Sequence, residues 1–172
     1  MVLALKQEWN DRSGERVGKK ITSLYFGGGT PSILTQAQLH DLVHHLRQHG
    51  DFSDNFEFTI EVNPDDVTDT LMKSWKDAGV NRISLGIQSL DDHVLQWMNR
   101  AHSADQARNA IMMAKESGID NISVDFIYGH GQYGSGNMLS DLMQLMELNP
   151  THLSAYALTI EKKTVLHHQV KN

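Results

Sequence analysis

The chain has 172 residues with a hydrophobic content of 40%, which is ordinary for a soluble globular domain with a sizeable core. No stretch approaches the ~20 apolar residues that span a bilayer, residues 1–10 lack a signal-peptide pattern, and the net charge of -6 argues against a nucleic-acid backbone as the main partner. The absence of cysteine excludes disulfides, thiolate catalysis and cysteine-held clusters in this chain, and the 10 histidines show no metal-ligand spacing, so we expect a cytoplasmic protein without a metal site.

Helix-like and strand-like segments alternate along the chain. Apolar residues at helical spacing, with N-caps such as Thr35, Thr68 and Ser103, predict helices over residues 2–10, 35–49, 68–78, 91–99, 103–117 and 139–148. Apolar runs and strict alternation predict strands over residues 21–26, 56–62, 82–88, 121–128 and 152–160. We expect residues 165–172 to form a polar tail.

This alternation predicts parallel βα units joined by right-handed crossovers. One face of the predicted strands is apolar, as at Ile83 and Leu85, whereas the other carries polar groups such as Glu61, Gln88 and Asp125. A polar inner face suits an open, curved barrel that holds a polar ligand, because a closed barrel fills its interior with branched apolar side chains. The predicted fold is therefore α/β: a partial, open, parallel (β/α) barrel that resembles a TIM barrel. We expect it to be incomplete at the N-terminus, because a helix comes before the first strand.

Three consecutive glycines, Gly27 to Gly29, directly follow the first predicted strand. Glycines allow positive φ and close approach of the backbone to a ligand, and the exposed amides and carbonyls of such a turn can hold charged groups. Three glycines exceed what a plain turn needs, so we favour a ligand-binding loop that includes Thr30. The segment has neither the Walker A pattern nor the GxGxxG dinucleotide fingerprint.

Three polar residues lie at the ends of strands or on their polar face. Glu61 could accept hydrogen bonds from ribose hydroxyls, and the alternative is a solvated carboxylate at a strand end. Gln88 ends the third strand. Asp125 lies on the polar face of the fourth strand, where it needs a partner, and a structural ion pair with Arg82 is the alternative to a ligand role.

Arg100 and His102 lie in the break between two predicted helices. A guanidinium is suited to clamping a carboxylate through two hydrogen bonds, although a lone arginine in a loop is more often exposed. His102 is either a ligand or acid–base group, or a loop or capping residue. Trp75, and the methionines around Met112 and Met143, are predicted to lie in helical core stripes.

Six motifs occur in a fixed order along the chain: YFGGGTPSIL, FTIEVNPDDVT, AGVNRISLGIQSLDD, NRAHSADQARNAI, GIDNISVDFIYG and NPTHLSAYALTIE. Together they resemble the radical S-adenosylmethionine (SAM) proteins of the coproporphyrinogen III dehydrogenase-like group, and LSAYALTIE favours the HemW-like branch of heme chaperones. The resemblance covers residues 21–164 and implies a partial six-stranded barrel. We therefore expect residues 1–164 to form a partial radical SAM core domain.

The resemblance implies a SAM site and no catalytic residue of this chain. Eight residues would contact the cofactor: Gly28, Gly29, Thr30, Glu61, Gln88, Arg100, Asp125 and Ala157. The glycine loop would hold the amino group of SAM, Glu61 the ribose and Arg100 the carboxylate, and Ala157 would contact the cofactor through its backbone.

The chain departs from the family at two places. The family motif CxxxCxxC, which binds a [4Fe–4S] cluster, comes before the region matched here, and residues 129–138 replace a Leu-Pro-Gly-Gln-Thr-like run. We therefore expect a fragment that has no turnover and binds SAM weakly, whose parent binds SAM, the cluster and heme or a porphyrin.

Three functions remain open for the parent protein. The first is delivery of heme to an acceptor protein, which the resemblance favours. The second is decarboxylation of a porphyrinogen by radical chemistry, as in a true coproporphyrinogen III dehydrogenase. The third is a non-radical βα-barrel enzyme that uses Glu61 and Asp125 as acid and base.

Overall fold

The computed structural model describes residues 1–130, 138–164 and 167–168. Helices and strands alternate along these residues, with short 3₁₀ helices at Ser13–Arg16, Pro31–Ile33 and Pro64–Asp66. In chain order the elements are α1 (Val2–Asp11), β1 (Ile21–Phe26), α2 (Gln36–Gln48), β2 (Phe52–Val62), α3 (Asp69–Ala78), β3 (Arg82–Gln88), α4 (Asp92–Trp97), α5 (Ala104–Glu116), β4 (Asn121–Tyr128), α6 (Met138–Leu148) and β5 (His152–Ala157).

The described strands form one parallel sheet of five strands in the order β1-β2-β3-β4-β5. The sheet curls into a half-barrel with the helices on its outer side, and the predicted fold class is confirmed. The register places Glu61 opposite Ser84, and Ser84 opposite Ser123, so polar residues of successive strands share the inner face.

The core lies between the sheet and the helices. Phe58, Ile60, Ile83, Leu85, Ile122 and Val124 are fully buried on the outer face of the strands. Trp75 from α3, predicted to be in the core, is 1% exposed. This apolar face fixes which side of each strand points inward, because successive side chains of a strand alternate between faces.

Three helices begin at capped residues, as the sequence predicts. Thr35 and Ser103 form capping boxes with Gln38 and Gln106, and the Thr68 hydroxyl accepts a hydrogen bond from the Leu71 amide.

The structure differs from the sequence predictions at several places. Strand β2 begins at Phe52 instead of residue 56, because Phe52 pairs with Ile21 of β1 and its ring packs edge-on against Phe56 at 4.9 Å. Strand β5 ends at Ala157 instead of residue 160. Met112 and Met143 were predicted to be in the core, which is wrong: they are 45% and 59% exposed, because they lie on the outer faces of their helices.

Two predicted segments, the polar tail and the loop at residues 129–138, lie partly outside the described residues. Apart from residues 167–168, the predicted tail 165–172 lies outside the described residues, as do residues 131–137 of the departing loop. Within the described ranges, no helix has the length and hydropathy needed to cross a membrane.

Candidate cofactor site

A polar cavity of about 170 Å³ opens at the carboxyl ends of β1 to β4, where the strands meet the loops that follow them. Five of the eight predicted site residues line this cavity: Gly29, Thr30, Glu61, Gln88 and Asp125. Parallel strands bring these residues together because their carboxyl ends lie at the same edge of the sheet.

Three further lining residues, Asn63, Ser84 and Gly86, were not predicted. Ser84 and Gly86 lie on the polar face of β3, so the same alternation that indicates Gln88 could have identified them. Asn63 follows β2 directly and carries no pattern of its own.

Glu61 joins the glycine loop to β2. Its Oε1 accepts a hydrogen bond from the Tyr25 hydroxyl at 2.7 Å, and its Oε2 accepts one from the Gly28 amide at 3.0 Å. Gly28 has a φ of 83°, which a residue with a side chain rarely adopts. A carboxylate has about four acceptor positions, so Glu61 can hold the loop and still accept bonds from a ligand.

The loop also needs glycine at position 27, in this case because a side chain would clash with its neighbours. A Cβ atom at Gly27 would lie 2.5 Å from Tyr25 Cε1 and 2.7 Å from Glu61 Cδ. At Gly29, by contrast, no atom lies within 4 Å of a Cβ, so this position faces open space. The first glycine therefore makes room for the Tyr25–Glu61 pair, whereas the third leaves the cavity open.

Two carboxylates, Glu61 and Asp125, line the cavity. Burial raises the pKa of Asp125, and the nearby charge of Glu61 raises it further, against hydrogen bonds from Ser154 and Ser84. Burial, the hydrogen bond to Glu61 and the charge of that carboxylate together raise the pKa of Tyr25 to about 12. Two carboxylates in one polar cavity suit a ligand that has a positive charge or several hydroxyl donors.

Arg82 has other contacts than the ion pair considered from the sequence. Its guanidinium donates to Thr59 Oγ1 at 3.3 Å and lies 4.0 Å from a Glu57 oxygen. For Asp125, Arg82 has the smallest of the effects that lower the pKa, whereas Ser154 and Ser84 are direct hydrogen-bond partners.

Gln88 closes the cavity at the end of β3 and is 8% exposed. Its backbone has a φ of 63°, and the amide of Ser89 donates to the carbonyl of Ile87 at 2.7 Å. A Cβ atom on Gly86 would lie 2.9 Å from Gln88 Nε2, so the carboxamide folds back over Gly86.

The other three predicted site residues, Gly28, Arg100 and Ala157, do not line the cavity, and Gly28 borders a neighbouring apolar groove instead. Arg100 is half-buried between α4 and α5, where burial lowers the pKa of its guanidinium and the charge of Asp65 raises it. Ala157 ends β5 opposite Tyr128 and is exposed. His102, from the same break as Arg100, is buried, and its ring lies beneath the end of β3.

A second, apolar groove of about 710 Å³ lies on the other side of the glycine loop, between α1 and β1. Trp9, Leu24 and Phe26 line it, and the Arg16 guanidinium stacks on Trp9 at 3.8 Å. Residues 29–31 form a wall that the groove shares with the polar cavity.

Known proteins share both the sequence pattern and the fold. The family profile of the Radical SAM superfamily matches residues 8–136. The heme chaperone HemW of Haemophilus influenzae is 40% identical over 147 residues, covering 86% of this chain and 38% of that protein. HemW of Escherichia coli is 35% identical, covering 86% of this chain and 39% of that protein.

Solved structures agree with this similarity. Coproporphyrinogen III oxidase (HemN) from Escherichia coli, described as a radical SAM enzyme, superposes with a TM-score of 0.85 at 30% identity, covering 98% of this chain and 38% of that chain. The archaeal Elp3 of Methanocaldococcus infernus superposes with a TM-score of 0.69 at 18% identity, which is a likeness of fold. The chain therefore spans about two fifths of the length of these HemW relatives.

Proposed function

Because the chain belongs to the radical SAM superfamily, we propose that its polar cavity is the SAM-binding site of a HemW-like heme chaperone that works in the cytoplasm. The observation that carries the proposal is the convergence of the glycine loop, Glu61, Gln88 and Asp125 on one polar cavity. The relatives carry the name heme chaperone, and we infer from it that the protein binds heme and passes it to an acceptor protein.

The residues of the cavity fit SAM by the chemistry of their donors and acceptors. SAM carries an ammonium, a sulfonium and two ribose hydroxyls, all of which suit the carboxylates of Glu61 and Asp125. The open space at Gly29 and the positive φ of Gly28 let a ligand approach the backbone closely. Arg100, outside the cavity, would hold the SAM carboxylate.

The residues of this chain do not fit a [4Fe–4S] cluster. Such clusters are held by cysteine thiolates, and the sequence contains no cysteine. We therefore propose weak SAM binding and no radical chemistry for the chain as given.

Titration of the isotopically labelled chain with SAM, followed by NMR, tests the site. We expect shift changes at residues 28–30, Glu61, Gln88 and Asp125, and weaker binding of Glu61→Gln. Glu57→Gln is the matched control, because Glu57 lies on the same strand and face but contacts Arg82 outside the cavity. Unchanged spectra at millimolar SAM, or equal loss of affinity in both variants, would contradict the proposal.

A second candidate function is decarboxylation of a porphyrinogen, favoured by the TM-score of 0.85 to coproporphyrinogen III oxidase. Two assays on the complete gene product separate the candidates: transfer of heme to an apo-hemoprotein, and decarboxylation of coproporphyrinogen III. We expect transfer without decarboxylation, and the reverse result would assign the second function.

A further inference from the structure

The turn at Gln88 has an unfavourable backbone. The Ser89 amide donates to the Ile87 carbonyl across Gln88, whose φ is 63°. This is a three-residue turn with a positive central φ, the rare and strained form of the γ-turn. Glycine would adopt this conformation at little cost, yet the chain has glutamine there, so the surrounding contacts must hold the turn.

One contact comes from His102, in the break between α4 and α5. Its side chain is 1% exposed, and its Nε2 lies 3.0 Å from the Ile87 carbonyl oxygen. A carbonyl oxygen only accepts hydrogen bonds, so Nε2 carries the hydrogen and donates it. The other ring nitrogen lies 3.7 Å from a carboxylate oxygen of Asp65.

A second contact lies on the other side of the turn. Asp141 Oδ2, from α6, accepts hydrogen bonds from the Ser89 hydroxyl at 2.9 Å and the Leu90 amide at 3.1 Å. The turn is therefore held by the break between α4 and α5 on one side and by α6 on the other, and His102 bonds the Ile87 carbonyl that also accepts the hydrogen bond of the turn.

The turn decides where the Gln88 side chain lies. The positive φ coincides with a break in the regular pairing of β3 with β4 between Leu85 and Gln88. The carboxamide thereby lies over Gly86 and borders the cavity beside Glu61 and Asp125.

We propose that His102 is a positioning residue, whose Nε2–H bond to the Ile87 carbonyl holds Gln88 in its strained turn and keeps the Gln88 carboxamide at the cavity wall. The backbone part of this inference is independent of the ligand. Its consequence for affinity rests on the proposed SAM site.

The hydrogen on Nε2 is testable in the unmodified chain. Long-range ¹H–¹⁵N spectra of the histidine rings should show His102 with its hydrogen on Nε2, exchanging slowly because the ring is buried. A neutral His102 ring that carries its hydrogen on Nδ1 alone would overturn the proposal.

Unfolding in urea tests whether His102 supports the strained backbone. His102→Leu keeps a similar volume without the donor, and His102→Gln keeps an N–H group at a comparable reach. We expect His102→Leu to lower the unfolding midpoint, with partial rescue by His102→Gln. In a Gln88→Gly background the loss should shrink, because glycine adopts the positive φ without strain. Equal losses in the two backgrounds would overturn the proposal.

A matched control separates this role from a general loss of a histidine contact. His40→Leu removes the 3.2 Å contact of His40 with Ser74, which joins α2 to α3, and neither helix lines the cavity. The ¹³Cα and ¹³Cβ shifts of Gln88 should move towards negative-φ values in His102→Leu and stay unchanged in His40→Leu. Unchanged Gln88 shifts in a folded His102→Leu variant would overturn the proposal.

The affinity for SAM provides the last readout. We expect His102→Leu to weaken SAM binding about three- to tenfold, and Gln88→Ala to make this loss no larger, because His102 acts through Gln88. Additive losses would overturn the link to the cavity. If the chain without substitutions binds no SAM, the proposed function fails, whereas the unfolding and chemical-shift measurements still decide the role of His102.

Discussion

At the scale of single residues, Glu61 connects the parts of the cavity most directly. Its two oxygens accept hydrogen bonds from Tyr25 on β1 and from Gly28 in the loop, while the residue itself belongs to β2. The carboxylate therefore shapes the loop before any ligand arrives, which the sequence did not indicate. Strand alternation places Glu61 on the inner face, but it cannot show which partners lie across from it.

The two outer glycines of the loop should respond differently to alanine. Gly27→Ala should lower the free energy of unfolding by about 1–2 kcal/mol, because its Cβ displaces the Tyr25–Glu61 pair. Gly29→Ala is the control and should be neutral or slightly stabilising, because its Cβ meets open space and alanine restricts the unfolded chain. Urea unfolding measures both variants, and equal effects would contradict this account of the loop.

Asp125 should make stability depend on pH. Burial raises the pKa of Asp125 in the folded state above its ordinary value of 3.8. The stability that the protonated carboxyl contributes is therefore fully present below pH 3.8 and is lost as the pH rises through the folded pKa. Asp125→Asn stays neutral, so it should be more stable than the parent at neutral pH, with a difference that vanishes in acid. Urea midpoints over the acid-to-neutral range test this.

Asp120→Asn controls for the loss of a carboxylate at an exposed position just before β4. At neutral pH the gain in the urea midpoint should be larger for Asp125→Asn than for this control. If Asp125→Asn is no more stable than the unsubstituted chain at neutral pH, burial is not the cause of the raised pKa of Asp125.

At the scale of elements, the site is built by the segments that follow the strands. The break between α4 and α5 carries Arg100 and His102, and Ser103 begins α5 immediately afterwards with a capping box. The capping pattern predicts where α5 starts. It does not predict that the preceding histidine turns inward to bond the end of β3, because a contact between distant segments has no local sequence signal.

Substitutions at the caps of α2 and α5 test whether the start of α5 supports the contact of His102 with the end of β3. Ser103→Ala and Thr35→Ala should each cost about 1 kcal/mol, because each removes the acceptor of a capping box. Only Ser103→Ala should also speed hydrogen exchange in residues 99–102 and at Ser89. Faster exchange at Ser89 in both variants would argue against a specific link between the cap and the turn.

The boundaries of the elements show where sequence patterns succeed. The alternation of Ile83, Leu85 and Ile87 with residues of the inner face predicts β3 with the same bounds that the structure shows. Alternation does not predict the early part of β2, because residues 53–55 are polar, although Phe52 pairs with Ile21 and its ring packs against Trp9 and Phe56. Helical periodicity places Met143 on a face of α6, but it cannot show whether another element covers that face.

At the scale of the whole molecule, the half-barrel leaves apolar surface uncovered. On α6, Leu139, Met143 and Met146 are 66%, 59% and 69% exposed at helical spacing. Among the described strands, β1 and β5 each have a neighbour on one side. Contiguous apolar surface of this kind and open strand edges favour association.

The chain as given should therefore self-associate as its concentration rises. Met143→Lys should shift sedimentation profiles towards the monomer, because it places a charge in the exposed stripe. Met112→Lys on α5 is the matched control, being 45% exposed outside that stripe. A monomeric parent chain at all concentrations, or an equal effect of both variants, would contradict this expectation.

The sequential order of the strands has a consequence for how the protein is made. Each strand from β2 onwards pairs with the strand that precedes it in the chain. Each described strand pairs only with the strands immediately before and after it in the chain. A chain emerging from the ribosome can therefore complete each pairing as soon as the next strand has been synthesised. The sheet can grow in the direction of translation, and the cavity is assembled in the same order: the glycine loop first, then Glu61, Gln88 and finally Asp125.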